Sequence, residues 1–394
     1  MKIKKDYKIK KIGPATYLLP YGQSAAEHLG SVELNSTGEL IAMLLLMDLP
    51  REKILSRMQK HYNASDEDMK MISSDLDEFC ADLKKRGILT EDGDDLKTRG
   101  SSGAHYFKIA SHILAIESAE SLIHEDFKGF ALADGDGDRR ADIRITVEYS
   151  ATYSLPTGEL LVRMNGFSII KTASGYTVTY GSLKHVKEMH ISEDGTKAVI
   201  YTNTAENLKT PDGASASEEV SLAIRTAFLY FEQLAGRCAI RSSSLIYRDK
   251  AILFCGESGS GKSLVPSMWK SKLNAANLNG AYNLIGIDGE SGDPHVYGIP
   301  WGGNTSICTP GEWPLGATVL LSPSAKNALS TCEGPDKPLK LASKLVTPMW
   351  TEEMLDANLD LCEKVALGSY LFEFKYTKKP ASVEILKKTL ESSI

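Results

Sequence analysis

The sequence predicts an α+β unit over residues 1–89, a strand-rich region over 105–237 and an α/β unit over 238–394. Three observations predict this. Short strand patterns followed by three capped helical patterns fill the first zone. Brief strand patterns separated by turn residues recur through the second. In the third, the apolar run 251–255 leads into Gly256-Glu257-Ser258-Gly259-Ser260-Gly261-Lys262-Ser263, a complete G-x-x-x-x-G-K-[ST] motif.

The elements follow in chain order. Residues 7–12, 15–20 and 31–34 read as strands, the first carrying the Lys-rich N-terminal stretch as an exposed strand rather than a nucleic-acid or membrane arm. Asn35, Ser36 and Thr37 supply caps for a helix over 38–47, and Pro50 opens a second that runs to about Tyr62. Ser65 caps a third, reaching Arg86, with Met69, Ile72, Leu76, Phe79 and Leu83 at helical spacing and Gly87 as its stop. Residues 90–104 are acidic, then rich in Gly and Ser, and read as a linker. Strands are expected at 143–149, 160–164, 176–180 and 198–201, with a turn at Asp194-Gly195. A helix over 215–236 begins with a Ser215/Glu218 capping box and ends at Gly236. Residues 381–390 read as a final amphipathic helix. The acidic run 134–138 lacks the Gly and Glu of a calcium loop, having Arg139 and Ile145 there, and reads as a polar turn.

The motif carries specific physics. Glycines let the backbone curl until successive N–H groups point inward at phosphate oxygens, and the following helix adds its positive end. Gly256, Glu257, Ser258, Gly259, Ser260 and Gly261 would form the cradle. Lys262 would reach the β- and γ-phosphates, and the Ser263 hydroxyl would help to hold Mg²⁺. ATP or another nucleoside triphosphate, with Mg²⁺, is the expected cofactor.

Composition narrows the partners. A net charge of −6 gives no global basic field for nucleic acid. The six cysteines form no C-x-x-C pair, so they read as free thiols of a reducing cytoplasm rather than as a zinc or redox motif. No secretory pattern follows the N-terminal lysines, and the apolar run 40–49 is too short to span a bilayer, so no membrane partner is expected.

Two resemblances sharpen the reading. The stretch Val32-Glu33-Leu34-Asn35-Ser36-Thr37-Gly38, the apolar helix after it, Ile54, Tyr62, Asp75, Phe79, Leu83 and Gly87-Ile88-Leu89 resemble the PqqD family, the peptide-recognition element of systems that modify ribosomally made peptides. The resemblance implies a winged-helix-like fold in which a precursor's leader adds as a strand beside Gly30, Ser31, Val32, Glu33 and Leu34. Ile72, Leu76 and Phe79 of the third helix would lie alongside it. A DNA-binding winged helix is disfavoured because that helix is acidic, carrying Asp66, Glu67, Asp68, Asp75, Asp77 and Glu78.

The C-terminal half resembles the HPr kinase-like family through Val296-Tyr297-Gly298-Ile299-Pro300-Trp301-Gly302-Gly303, Pro314-Leu315-Gly316-Ala317 and Val346-Thr347-Pro348-Met349-Trp350. The resemblance implies a P-loop fold that phosphorylates a Ser or Thr hydroxyl of a precursor peptide. It leaves open a homo-oligomer and other peptide-modifying enzymes as partners. Two positions depart from the family pattern. In Leu278-Asn279-Gly280-Ala281, Ala281 stands where the resemblance implies a catalytic aspartate, and a methyl group neither accepts a proton nor binds Mg²⁺. Either the site is disabled by engineering, or the chain is a natural pseudokinase, or another carboxylate serves. Arg241 stands where relatives carry His; it either stabilises transferred charge or pairs with an acid. Asp288 is a backup metal ligand, but Asp288-Gly289 is also a common turn pair. The rival functions are a non-catalytic scaffold that binds peptide and nucleotide, and a P-loop ATPase.

Overall fold

A computed structural model describes residues 2–3, 7–20, 31–47, 49–65, 68–86, 88–90, 103–132, 141–150, 157–209, 215–257, 259–262, 264–273 and 275–394. The fold is mixed α/β. The chain divides into two compact units, Met1–Thr98 with Ser150–Leu155, and Arg99–Tyr149 with Pro156–Ile394. The division falls within 90–104, the stretch read as a linker; 91–102 lie outside the described residues, as does the acidic turn at 134–138.

In the first unit β2 (Tyr7–Ile12), β3 (Ala15–Pro20) and β4 (Val32–Leu34) form an antiparallel sheet, while β1 (Lys2–Ile3) pairs with β5 (Leu89–Thr90). Gly13, at φ +61°, makes the two-residue turn that joins β2 to β3. Three helices follow β4: α1 (Ser36–Leu46), α2 (Arg51–Tyr62) and α3 (Asp68–Lys85). Asn35 caps α1, its side-chain oxygen accepting from Gly38 N at 2.7 Å, and Pro50 precedes α2 as predicted. Ser65 and Asp68 exchange side chain-to-backbone hydrogen bonds at the start of α3. Leu18, Val32, Leu34, Ile41, Leu45, Ile54, Leu76 and Leu83 form one buried core. Each such side chain contributes about 1.5–3 kcal/mol on burial, which is what holds so small a sheet.

The second unit opens with β6 (Gly103–Ile109), β7 (His112–Ser118), β8 (Ile143–Tyr149), β9 (Glu159–Met164), β10 (Phe167–Thr172), β11 (Gly175–Thr179), β12 (Val186–Ser192) and β13 (Lys197–Thr202). They make one sheet in the order β6-β7-β8-β13-β12-β11-β10-β9. Helix α4 (Ala216–Leu234) buries Val220, Ile224, Ala227 and Phe228 in the core it shares with this sheet, and both halves of its Ser215/Glu218 capping box are present.

The remaining elements are β14 (Cys238–Tyr247), β15 (Lys250–Cys255), α5 (Leu264–Leu273), β16 (Ala276–Asn277), β17 (Tyr282–Ile287), β18 (Pro294–Tyr297), β19 (Glu312–Pro323), β20 (Ala328–Thr331), α6 (Asp336–Ala342), α7 (Glu352–Gly368), β21 (Tyr370–Tyr376) and α8 (Ala381–Ser393). Strands β15, β14, β17, β18 and β19 close on themselves, because β19 also pairs with β15. An odd ring cannot be antiparallel throughout. The exception is β15–β19, which is parallel, and β21 extends it in parallel on the far edge of β19. A parallel neighbour needs a crossover connection. The crossover out of β15 contains the glycine-rich motif and α5. Topology therefore puts the motif at the carboxyl end of a strand that runs parallel to β19, the end at which α/β sheets hold their ligands.

Candidate functional site

Strand β15 is buried along 251–255, and the motif leaves directly from its end. Two glycines of the loop, Gly259 (φ +76°) and Gly261 (φ +93°), adopt the left-handed conformation that side chains resist. Close packing requires glycine as well. A Cβ on Gly256 would lie 2.3 Å from Ser260 Oγ and 2.9 Å from the Leu321 carbonyl at the end of β19. A Cβ on Gly261 would fall 1.6 Å from Tyr376 Oη at the end of β21. The three parallel strands thus converge on the loop.

The hydrogen bonding of the loop is lopsided. Most of its described carbonyls are occupied: Lys262 Nζ donates to Gly256 O and Glu257 O at 2.5 and 2.7 Å, Tyr376 Oη to Ser260 O at 2.8 Å, Val265 N to Gly261 O at 3.0 Å, and Ser243 Oγ to Lys262 O. Of its N–H groups, Ser260 N donates to Glu257 O. The N–H groups of Glu257, Gly259, Gly261 and Lys262 have no acceptor among the described residues. Ser258 and Ser263 lie outside the described residues.

Positive charge gathers here. Burial lowers the Lys262 pKa, and the neighbouring Arg241 guanidinium lowers it further. Burial pushes the Cys255 thiol up to about 12, against the pull of Lys344 and Lys262. Lys344 Nζ stands 3.7 Å from Glu257 Oε1, and Arg241 N donates to Lys344 O at 3.0 Å. Sequence reasoning picked Arg241 and Lys262 but missed Lys344, 82 residues after Lys262, for which no motif gave a signal. It missed Tyr376 for the same reason.

Position 281 belongs to this neighbourhood. Arg241 pairs with Tyr282 and Ser242 with Cys255, so the start of β17 is level with the loop. Ala281 is held tightly: its N–H donates to Asn279 Oδ1 at 3.0 Å, and its carbonyl accepts from Ser242 N at 3.0 Å. Asn279 and Asn283 tie the buried serines of β14 to this segment, with Ser244 Oγ donating to Asn283 Oδ1 at 2.6 Å and Asn279 N to Ser244 Oγ at 2.9 Å. The glycine pair folds over it: a Cβ on Gly303 would meet Ala281 Cβ at 2.7 Å. Beside that pair, Asp126 Oδ2 accepts from Gly302 N at 3.1 Å, and its buried Oδ1 has no hydrogen-bond partner among the described residues. Nothing in the sequence pattern had singled out Asp126.

Asp288 is not brought to the loop, which corrects its reading as a metal ligand. It lies past the far end of β17, seven residues beyond Ala281 and so about 20 Å along an extended strand. Its Oδ1 accepts from Glu290 N at 3.2 Å and from Ser291 N at 2.7 Å, and these bonds hold its pKa below the usual carboxylate range. It is a turn residue, because local N–H groups satisfy it. His295 follows on β18. Among the described residues no group of three or more His, Cys, Asp or Glu side chains is arranged to hold a metal ion.

In the first unit β4 alternates, with Val32 and Leu34 buried and Ser31 and Glu33 exposed. Among the described residues β4 pairs with β3 alone, leaving its other edge open. Leu76 is core, while Ile72 and Phe79 pack against the core half-buried. A Cβ on Gly38 would touch Phe79 Cε2 at 3.2 Å and Leu34 Cδ2 at 3.7 Å, so α3 runs close beside the end of β4. Gly30 lies outside the described residues.

The sequence matches no protein-family model, and a search of curated proteins returns no match. No helix among the described residues is long and apolar enough to cross a membrane.

Proposed function

We propose that the chain binds ATP, or another nucleoside triphosphate, at the loop after β15, and that it serves as the kinase of a ribosomal peptide-modifying system. The observation that carries the nucleotide reading is the lopsided loop. Most of its described carbonyls are occupied, while the N–H groups of Glu257, Gly259, Gly261 and Lys262 have no acceptor among the described residues, beside Lys262, Arg241 and Lys344. That arrangement suits an anion and repels a cation. The described residues therefore fit a polyphosphate. They fit Mg²⁺ less fully, since they offer no carboxylate cluster, and phosphate oxygens with water supply most ligands of such an ion.

Bound there, ATP would supply the phosphoryl group. Lys262 and Arg241 would neutralise its oxygens. A Ser or Thr hydroxyl of the precursor's core would give its proton to a carboxylate at position 281. The leader would add to the open edge of β4 near Ile72, Leu76 and Phe79, and this tether would raise the effective concentration of the core. We place the reaction in the cytoplasm, with the precursor peptide as partner.

Ala281 favours a second reading, a non-catalytic scaffold that holds peptide and nucleotide for another enzyme. One experiment separates the two. The cognate precursor is incubated with Mg-ATP and either the chain as given or Ala281→Asp, and intact mass is read. Phosphate added by Ala281→Asp alone supports a kinase with position 281 disabled. Phosphate added by both chains makes Asp126 the first carboxylate to test. Tight peptide binding without phosphate in either chain turns the conclusion to the scaffold. ATP hydrolysis without peptide phosphorylation would point to an ATPase.

A further inference from the structure

We propose that Lys344 is a phosphate-binding residue that makes this site prefer nucleoside triphosphates over diphosphates; the inference rests on the nucleotide reading above. Its position is built into the backbone. Residues 344–347 lie along β14 like a short extra strand. Arg241 N donates to Lys344 O at 3.0 Å, Val346 N to Ala239 O at 2.9 Å and Ala239 N to Thr347 Oγ1 at 2.6 Å, with Ile240 opposite Leu345. Arg241 and Lys344 are therefore mounted side by side on paired backbones. Loop residue Lys262 is tied to the same strand, its carbonyl taking the Ser243 hydroxyl.

The charges at this corner do not balance. Among the described residues neither Arg241 nor Lys262 has a carboxylate within ion-pair distance. Lys344 has one, Glu257, at 3.7 Å, but that carboxylate side chain is 92% exposed and such a pair holds weakly. Three cations with one loosely held counter-charge define a site for an external polyanion. Glu257 opens the loop, whereas α5 closes it. A phosphate chain laid along the loop meets the helix end at one side and the Arg241–Lys344 pair at the other. The terminal phosphate carries the most charge and is the group that pair would hold. The Glu257 carboxylate would give up Lys344 to it.

The test is calorimetric titration of the whole chain with a non-hydrolysable ATP analogue and, separately, with ADP. Lys344→Ala should weaken the analogue about 10- to 100-fold, the effect of losing one charge-assisted hydrogen bond, and ADP by less than about threefold. Lys344→Arg should restore most of the loss. A purely structural role would lower both affinities together and would not be rescued by Arg. Equal affinities of Lys344→Ala and the parent for the analogue, with Lys262→Ala impaired, overturn the role of Lys344 alone. If Lys262→Ala also binds as the parent does, or the parent binds neither nucleotide, the nucleotide reading itself fails and this inference with it.

Discussion

Residues 256–259 and 289–292 are the same tetrapeptide, Gly-Glu-Ser-Gly, and each follows a strand of the same five-stranded ring, β15 in one case and β17 in the other. Even the backbone agrees at the fourth position, with φ +76° at Gly259 and +74° at Gly292. The surroundings differ. After β17 the next strand returns antiparallel, and a carboxylate inside the turn, Asp288, absorbs the N–H groups of Glu290 and Ser291. After β15 the chain must cross over to reach a parallel partner. There the groups that reach the loop, from Lys262, Tyr376 and Ser243, take carbonyls instead. One turn spends its N–H groups internally; in the other, those of Glu257 and Gly259 have no acceptor among the described residues. The chemistry of such a segment thus comes from the strand pairing around it rather than from its glycine content.

The strongest way to break this comparison is at Gly261. Alanine there would need a left-handed conformation at φ +93° and would drive its Cβ into Tyr376 Oη, inside a fully buried tyrosine. Strain and overpacking together should cost about 2–4 kcal/mol of stability and abolish nucleotide binding. Thermal melting and nucleotide titration read both effects. Tyr376→Phe alone removes one hydrogen bond, to Ser260 O, at a cost of about 1 kcal/mol. Added to Gly261→Ala it should recover part of the lost stability, since the hydroxyl is what the methyl strikes. Strictly additive losses in the double variant would show that Tyr376 does not shape the loop.

Much of the fold was legible because its signals are local. The Asn35 cap, the Pro50 start, the Ser215/Glu218 box and the strands at 7–12, 15–20 and 143–149 each rest on a few adjacent residues, and the structure places them there. The glycine-rich loop was legible for the same reason. Ring closure was not, because β15 and β19 are joined by pairing across about 65 residues and no local pattern encodes the partner. The site divides in the same way. Lys262 announces itself through its motif. Lys344, Tyr376 and Asp126 arrive from separate elements and acquire meaning only through register. Asp288 illustrates the converse: an apolar strand ending in Asp fits a metal ligand and a turn equally well until pairing shows how far it lies from Lys262.

A smaller effect is expected at Asp288. Replacing it with Ala removes the acceptor for two backbone N–H groups and for the Ser291 hydroxyl, so the β17–β18 turn should loosen and the melting temperature fall slightly. Nucleotide affinity should not change. The pH dependence has a definite sign. The folded pKa is depressed, so the turn's contribution is present above the unfolded value near 3.8 and is lost as pH falls through the lower folded value. Asp288→Asn, which keeps an acceptor oxygen but cannot titrate, should flatten that part of the acid limb of a pH-melting profile. Loss of Mg-nucleotide binding in Asp288→Ala would restore Asp288 as a ligand and undo the distance argument.

The smallest effect, and the one that isolates the comparison, belongs to the first glycines of the two tetrapeptides. A Cβ on Gly289 meets nothing within 4 Å, and its φ lies outside the left-handed region. Alanine there restricts the unfolded chain without straining the folded one, so Gly289→Ala should be neutral or stabilising by about 0.4–1 kcal/mol. Gly256→Ala, in the same position of the same tetrapeptide, would press on Ser260 Oγ and on the Leu321 carbonyl, and should lose both stability and nucleotide. Equal melting shifts for these two variants would mean that β19 does not crowd the loop. The difference between the two segments would then lie in their sequence neighbours alone, and the parallel pairing of β15 with β19 would no longer explain why one of them can receive a phosphate.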